Sequence, residues 1–366
     1  MIEKMIMLKS GKKKRQVQTF KCENGHFFKS LGDSPWDDSF IELVVFLYLR
    51  GLSLNATIEV VQAFYETDIL SKGQILEFIE QVADALPTLD DIDQLFEPKR
   101  SGFLAFDGVW FKYHLQELVL LVCFDPVTFD VIEAIWATQE SEKNYRRLID
   151  KVKGKLDVHI IKGIYGDGDN GLLSALKGML PGIPFQLCIV HKELKMGELV
   201  PVKLINRSHK MSEAFKAEVR EFQGLFRAVL YAPSKDESKQ ALEVLGEYVA
   251  SSNQERFKSA YRSLKKNFVL TLTHFDHPEM DRDNNLLECF NGCLRPRLEL
   301  MRGFKKLENL NRYLKLFLLE FRFRPLRESR FKNRRNLTPL ELGGVYLPDY
   351  YNFLTFLRTK LHLKYH

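Results

Sequence analysis

Apolar residues along this chain change their period near residue 100. Between Trp36 and Leu86 they recur at helical spacing in three runs. Ser39 and Glu42 have capping-box spacing ahead of the first run, which continues to Leu49 and stops at Gly51; the second spans Ala56 to Tyr65. Ser71 and Gln74 form another capping-box pattern before Ile75, Phe78, Ile79, Val82 and Leu86. From Ser101 the signal becomes strand-like. Phe103 to Lys112, Leu118 to Phe124 and Val131 to Ala137 are short runs rich in Val, Ile, Phe and Trp, split by turn residues such as Asp125-Pro126. A helix over Asn144 to Lys153, a strand over His159 to Tyr165, a helix over Gly171 to Met179 and a last strand over Phe185 to Val190 follow. The order β-β-β-α-β-α-β predicts an α/β (α+β) mixed sheet covered by helices. Lys192 to His274 returns to helical spacing, with Phe215, Val219, Phe222 and Phe226 on one stripe. Asn284 to Arg295 and Leu307 to Phe323 read as helices, and the chain from Thr338 as a proline-punctuated tail.

At 366 residues and 45% hydrophobic content the chain can bury a substantial core, enough for two or three units. No run of about 18 apolar residues occurs, and Met1 to Arg15 is lysine-rich without the apolar centre of a signal peptide, so no membrane is expected and the protein is placed in the cytoplasm. Five scattered cysteines fit a reducing compartment better than a disulfide framework. The net charge of +6 is modest, but it is unevenly spread. Arg295 to Arg335 holds fourteen Lys or Arg against four Glu, a net of +10 that expects a polyanion; Trp36 to Pro98 holds thirteen acids against Arg50 and Lys72, a net of −11. Helix, short turn, helix is a helix-turn-helix pattern, yet the third helix carries Glu77, Glu80 and Asp84, so it suits a packing or dimerisation bundle as well as a DNA reader. Near the start, Cys22 and His26 look like half of a zinc knuckle; a tetrahedral site needs four ligands, so the segment reads as a basic arm.

Three acids occupy places where fold-building gives no reason for a charge. Asp107 interrupts the apolar strand Phe103-Leu104-Ala105-Phe106, and Gly108 after it leaves space beside the carboxylate. Asp167 ends a strand within Gly166-Asp167-Gly168-Asp169-Asn170-Gly171, where an open α/β sheet usually places its site. Glu288 lies on a helix whose apolar stripe is Leu286, Phe290, Cys293 and Leu294, with Asn284, Asn291 and Arg295 beside it on the other face. Taken singly, each has an ordinary reading: Asp107 and Asp167 cap turns and Glu288 is a solvated helix residue. Together, carboxylates suit Mg²⁺, a hard cation that prefers oxygen ligands and keeps positions open for water and phosphates.

The motifs around these acids carry a family resemblance. Gly166-Asp167-Gly168-x-x-Gly171-Leu172, then Ala175-Leu176, Pro184, Gln186 and Cys188-Ile189-Val190-His191-Lys192, resembles the central signature of Mutator-type DDE transposases of insertion sequences. Asn284 to Arg297, in the pattern Asn-x-x-x-Glu-x-x-Asn-x-x-Leu-Arg-x-Arg, resembles the segment carrying that family's last acid. The resemblance covers roughly Ser101 to Pro339. It implies an RNase H-like catalytic core, whose element order is the one read above, interrupted by a helical insertion before the glutamate. It implies that Asp107, Asp167 and Glu288 are the catalytic and metal-binding triad, holding two ions of Mg²⁺ or Mn²⁺, and that Cys188 and His191 are the family's Cys-x-x-His pair. A thiol and an imidazole three residues apart at a strand end suit a partial metal site, a DNA-end contact or packing; a structural or DNA-positioning role is favoured over nucleophilic catalysis, because metal-activated oxygen needs no protein nucleophile.

The division this implies is a basic arm over 1–35, a helical domain over 36–98, the first part of the RNase H-like domain over 99–192, the helical insertion over 193–282, the glutamate helix with the basic region over 283–340, and a tail over 341–366. Asn291, Arg295, Arg297, Arg302, Lys305 and Lys306 are the candidate DNA contacts, with Phe304, Tyr313, Phe317 and Phe321 packed inward. The expected partners are transposon terminal inverted repeats and target DNA, and the expected form is a homo-oligomer of at least two copies, since two ends must meet. A nucleoid-associated protein of a prokaryotic host fits. Two rival readings are an RNase H-like nuclease that cuts without joining, and a domesticated DNA-binding protein that keeps the fold without activity.

Overall fold

The computed structural model describes residues 2–10, 13–21, 27–29, 38–65, 70–113, 116–207, 209–300, 306–348 and 353–354. The chain divides into a unit of Met1–Pro87, Glu308–Phe317 and Asp349–His366 and a second of Thr88–Leu307 and Leu318–Pro348. Cys22 and His26, like Arg302 and Lys305, lie outside the described residues.

In the first unit, β1 (Ile2–Ser10), β2 (Lys13–Lys21) and β3 (Phe27–Lys29) pair antiparallel in that order, with Ile6 in register with Val17. Sequence reading finds no strand here, because the lysines dilute the apolar alternation on which a strand assignment rests. Three helices follow: α1 (Asp38–Leu49), α2 (Leu54–Tyr65) and α3 (Lys72–Ala85). The helix α1 already includes Ser39, so the expected Ser39 cap is not used, and Glu42 is buried. The second capping box does form: Ser71 Oγ accepts from Gln74 N at 3.3 Å and Gln74 Oε1 accepts from Ser71 N at 2.9 Å. Two acids of α3, Glu80 and Asp84, have a partner within this unit. Arg312 donates to both carboxylate oxygens of Asp84 at 2.9 and 2.8 Å, and Lys315 donates to the carbonyls of Ala83 and Leu86, satisfying the end of the helix.

The second unit opens with α4 (Leu89–Phe96), started by a Thr88–Asp91 capping box within the acidic stretch. Its sheet is mixed: β4 (Phe103–Tyr113), β5 (Gln116–Asp125) and β6 (Asp130–Ala137) are antiparallel neighbours, and β7 (Gly163–Gly166) and β8 (Phe185–Leu187) add on in parallel, giving the order β6-β5-β4-β7-β8. Between them run α5 (Glu142–Lys153) and α6 (Asn170–Met179). Leu104, Phe106, Tyr145, Leu148, Leu172 and Leu176 belong to one core cluster, so these two helices cover one face. The expected strand from His159 starts late: Val158–Ile160 is a 3-10 turn, and pairing begins at Gly163.

The last strand is also shorter than its apolar run. It ends at Leu187, and α7 (Ile189–Leu199) begins immediately, with Cys188 at its N-cap. A second core cluster joins α7 to α8 (Glu213–Leu230), α9 (Lys235–Ser251) and α10 (Glu255–Lys265), the helical stretch anticipated after Lys192. The short α11 (Thr273–Asp276) leads to α12 (Asn285–Leu300), α13 (Leu307–Arg322) and α14 (Pro339–Leu342). On the other face of the sheet, Phe290 of α12 packs between Phe124 of β5 and Phe321 of α13, with ring centroids at 5.6 and 4.9 Å. Among the described residues no helix is long and apolar enough to cross a membrane.

Candidate active site

The register of the sheet places the first two acids. Parallel pairing of Ala105 with Tyr165 brings β4 and β7 into step, so Asp107, within β4, comes level with Asp167, just past the end of β7. Asp167 Oδ1 accepts from Asp169 N at 2.9 Å, and Asp169 Oδ1 in turn caps α6 through Gly171 N at 2.7 Å, which fixes the loop.

A buried amide organises the approach of the third acid. Gln186 Nε2 donates to the carbonyls of Leu187, Thr271 and Arg282, and its Oε1 accepts from His274 N at 2.8 Å. That ties β8 to the end of the helical stretch that precedes α12. Cys188 Sγ then accepts from Asn284 N at 3.2 Å, and Ile189 N donates to Arg282 O at 3.3 Å. The starts of α7 and α12 are thereby fastened together, and each sends one side chain to the same place: His191 Nε2 lies 3.1 Å from Glu288 Oε1. Asp107, His191 and Glu288 each bring one ligand atom within 4.8 Å of the others. Asn291, one turn beyond Glu288, donates from Nδ2 to Asp107 Oδ2 at 2.6 Å across 184 residues of sequence.

The electrostatics of the cluster follow from this packing. Asp107 is 8% exposed. Burial and then the neighbouring Glu288 carboxylate push its carboxyl up to about 8, with Asp167 adding to the repulsion and His191 opposing it. His191 moves the other way. Burial disfavours the imidazolium, but Cys188 beside the ring, Glu288 and Asp107 outweigh it and hold the group up to about 11. Glu288 is held below the usual carboxylate range, first by its hydrogen bond with His191. The cluster is therefore a set of acids whose repulsion the protein offsets with one imidazolium. Asn284 Nδ2 and Oδ1, Asn291 Oδ1 and His191 Nδ1 are buried without a hydrogen-bond partner among the described residues.

These placements redraw several expectations. Cys188 and His191 sit at a helix start, not on a strand, and the thiol is fully buried against Asn284 N, so it joins two helices and is not available to DNA. Asn291 is 0% exposed and reaches Asp107, so it too is withheld from DNA. The buried stripe of α12 is Leu287, Phe290, Leu294 and Leu298 together with Asn284 and Asn291, whereas Cys293 is exposed. The space beside Gly108 is filled: a Cβ there would meet Glu140 Oε1 at 2.1 Å. Arg295 and Lys306 are exposed and Arg297 is half-buried. Sequence reasoning carried Gln186 only as part of the family signature, with no role assigned to it, and missed Glu140 as a site-building residue, for which there was no clue.

The carboxylate oxygens of Asp107 and Glu288, converging next to orphaned amide oxygens, form a donor set that fits a hard divalent cation, and His191 would join them as a ligand on giving up its proton. The family model described as "Transposase, Mutator family" matches residues 9–323. The transposase for insertion sequence element IS406 of Burkholderia multivorans (strain ATCC 17616 / 249) is 24% identical over 289 residues, covering 75% of this chain and 68% of that protein. With the match running through the sheet, the helical stretch and the glutamate helix alike, this chain belongs to the Mutator family of transposases.

Proposed function

We propose that this transposase cuts DNA at transposon ends and joins the resulting 3′-hydroxyls to target DNA, with Asp107, Asp167 and Glu288 as a DDE triad on an RNase H-like core. The observation that carries this reading is the meeting of Asp107 and Glu288, from a central strand and a distant helix, in one cluster with His191. The element order β-β-β-α-β-α-β and the mixed sheet support the RNase H-like assignment.

The triad would hold two divalent ions, Mg²⁺ or Mn²⁺. When bound, such a pair supplies an activated attacking oxygen and stabilises the departing one. The remaining work falls to the chain. Asn291 fixes the rotamer of Asp107 through Nδ2, and His191 shares the proton on Nε2 with Glu288 Oε1, keeping that carboxylate anionic. Gln186 and Cys188 hold the two helix starts in register, so that Glu288 arrives beside Asp107 without a search. Arg295, Arg297 and Lys306, with Arg302 and Lys305, would neutralise phosphates flanking the cut and make binding salt-sensitive. Two copies of the chain are proposed to act together, one at each end.

The test uses the inverted repeats flanking the coding region as end-labelled duplexes. Asp107→Asn, Asp167→Asn and Glu288→Gln should each abolish metal-dependent cleavage and strand transfer while leaving DNA binding in a mobility shift intact. Full activity in any one of them removes that residue from the triad.

A further inference from the structure

The side of β4 opposite Asp107 carries an aromatic ring held beside the acid cluster but left in solvent. Alternation along the strand puts Trp110 on the face of Phe106 and Gly108, and Trp110 is 44% exposed. Its polar edge is pinned. Trp110 Nε1 donates to Glu140 Oε2 at 3.0 Å, and Glu140 Oε1 accepts from Tyr145 OH at 3.1 Å. Glu140 itself has little freedom, because its loop is wedged between two glycines. A Cβ on Gly108 would lie 2.1 Å from Glu140 Oε1, and a Cβ on Gly171 would lie 2.7 Å from Ser141 C and 2.9 Å from Glu140 O. One glycine follows Asp107 and the other closes the Asp167 loop, so both acids and the carboxylate that holds the indole are built on the same joint.

An exposed indole fixed by its N–H offers its π-face and nothing else. Trp110 lies three residues along the strand from Asp107, roughly 10 Å, which is about three stacked nucleotides of one strand. Glu140, which holds the indole, feels the carboxylates of Asp167 and Asp169, and on the other side Lys112, two residues along the strand on the same face, is exposed. An aromatic face with one cation beside it matches a base stacked on the ring and a flanking phosphate at the lysine, the arrangement by which single strands are held without sequence preference. Resting on the transposase reading above, we propose that Trp110 is a stacking platform for an unpaired base of the DNA at the active site, and that Glu140 is its positioning residue.

The experiment titrates the full-length protein, in calcium buffer, with a thymidine homo-oligomer of about 16 nucleotides. Tryptophan emission and the anisotropy of a labelled oligomer are followed in parallel. The parent protein is expected to show emission quenching on binding. Trp110→Phe keeps an aromatic face, so it should retain affinity while losing most of the quench. Trp110→Ala should weaken binding on the order of 10-fold, as should Glu140→Ala, whereas Glu140→Gln retains an acceptor for the indole and should bind like the parent. Undiminished quenching in Trp110→Phe overturns the proposal, as does parental affinity in a folded Trp110→Ala; the first measurement decides even if the alanine variant fails to fold. Neither readout depends on cleavage. An active Asp107→Asn would therefore sink the triad and leave the platform standing, and an unaltered quench would do the reverse.

Discussion

Replacing Asn291 by leucine separates the architecture of the site from the stability of the protein. The amide is 0% exposed, its Nδ2 donates to Asp107 Oδ2 at 2.6 Å, and its Oδ1 has no partner among the described residues. Asn291→Leu roughly conserves volume, and its neighbours on the buried stripe of α12 are Leu287, Phe290 and Leu294. Two effects on folding oppose each other. Losing the donor leaves a buried carboxyl oxygen unsatisfied, at about 1–3 kcal/mol, while removing the orphaned amide oxygen recovers a similar amount. Unfolding free energy by urea titration should therefore change by no more than about 1–2 kcal/mol. Activity has no such offset. Asp107 loses the contact that sets its rotamer, and if the same 1–3 kcal/mol appears at the transition state, cleavage falls on the order of 10- to 100-fold. The assay is single-turnover cleavage of an end-labelled duplex at saturating metal, with circular dichroism to verify folding. A folded Asn291→Leu protein that cleaves at the parental rate would refute the claim that Asn291 positions the acid.

Two further substitutions probe how the site is braced. Arg322 is 0% exposed and pairs with Asp93 at 2.6 Å and Asp130 at 3.0 Å, on the turn of α13 next to Phe321, which packs on Phe290. Arg322→Met leaves those acids to Arg100 and, for Asp93, the more distant Lys155 at 3.9 Å, so thermal or urea unfolding should reveal a loss of about 3–5 kcal/mol; a loss below about 1 kcal/mol would mean that the network contributes nothing to holding that face. Gly108→Ala drives a methyl into Glu140 and Val119, which should cost about 1–3 kcal/mol. Much of that cost should vanish in a Glu140→Ala background, and a double-mutant cycle showing additive losses would place the clash elsewhere.

How far the sequence reaches is clearest at the sheet. β4, β5 and β6 fall within one to two residues of their apolar runs at most ends, because a half-buried or buried strand writes its burial directly into its composition. The same rule misleads at residues 188–190, where Cys188-Ile189-Val190 continues an apolar run but the chain has already turned into α7. A run of three cannot tell a strand from the first turn of a buried helix. The spacing of Asn284, Glu288 and Asn291 was equally legible, and so was the improbability of Asp107 in its strand. Their meeting was not, since a hydrogen bond across 184 residues is a property of the tertiary path and not of any local pattern. Glu140 left no trace at all: the glycine beside Asp107 reads as room for a ligand until the loop that fills it is seen.

Charge shows the same limit with a different outcome. A segment of −11 and a segment of +10 look like a surface that repels DNA and a surface that attracts it. Within the first unit, Arg312 from the basic segment meets Asp84 and Glu80 of the acidic one; within the second, Arg322 meets Asp93. Part of each excess is thus the counter-charge of the other, held at short range where attraction is strong and desolvation is shared. What remains exposed for a polyanion includes Arg295, on the glutamate helix, and Lys306, together with Arg327, Arg330, Lys332 and Arg335 farther on. Arg295 follows the glutamate on its own helix, two turns on. On the function proposed above, a duplex drawn to Arg295 would come to rest beside the acids, so the position of that cation would matter more than the net charge of the segment.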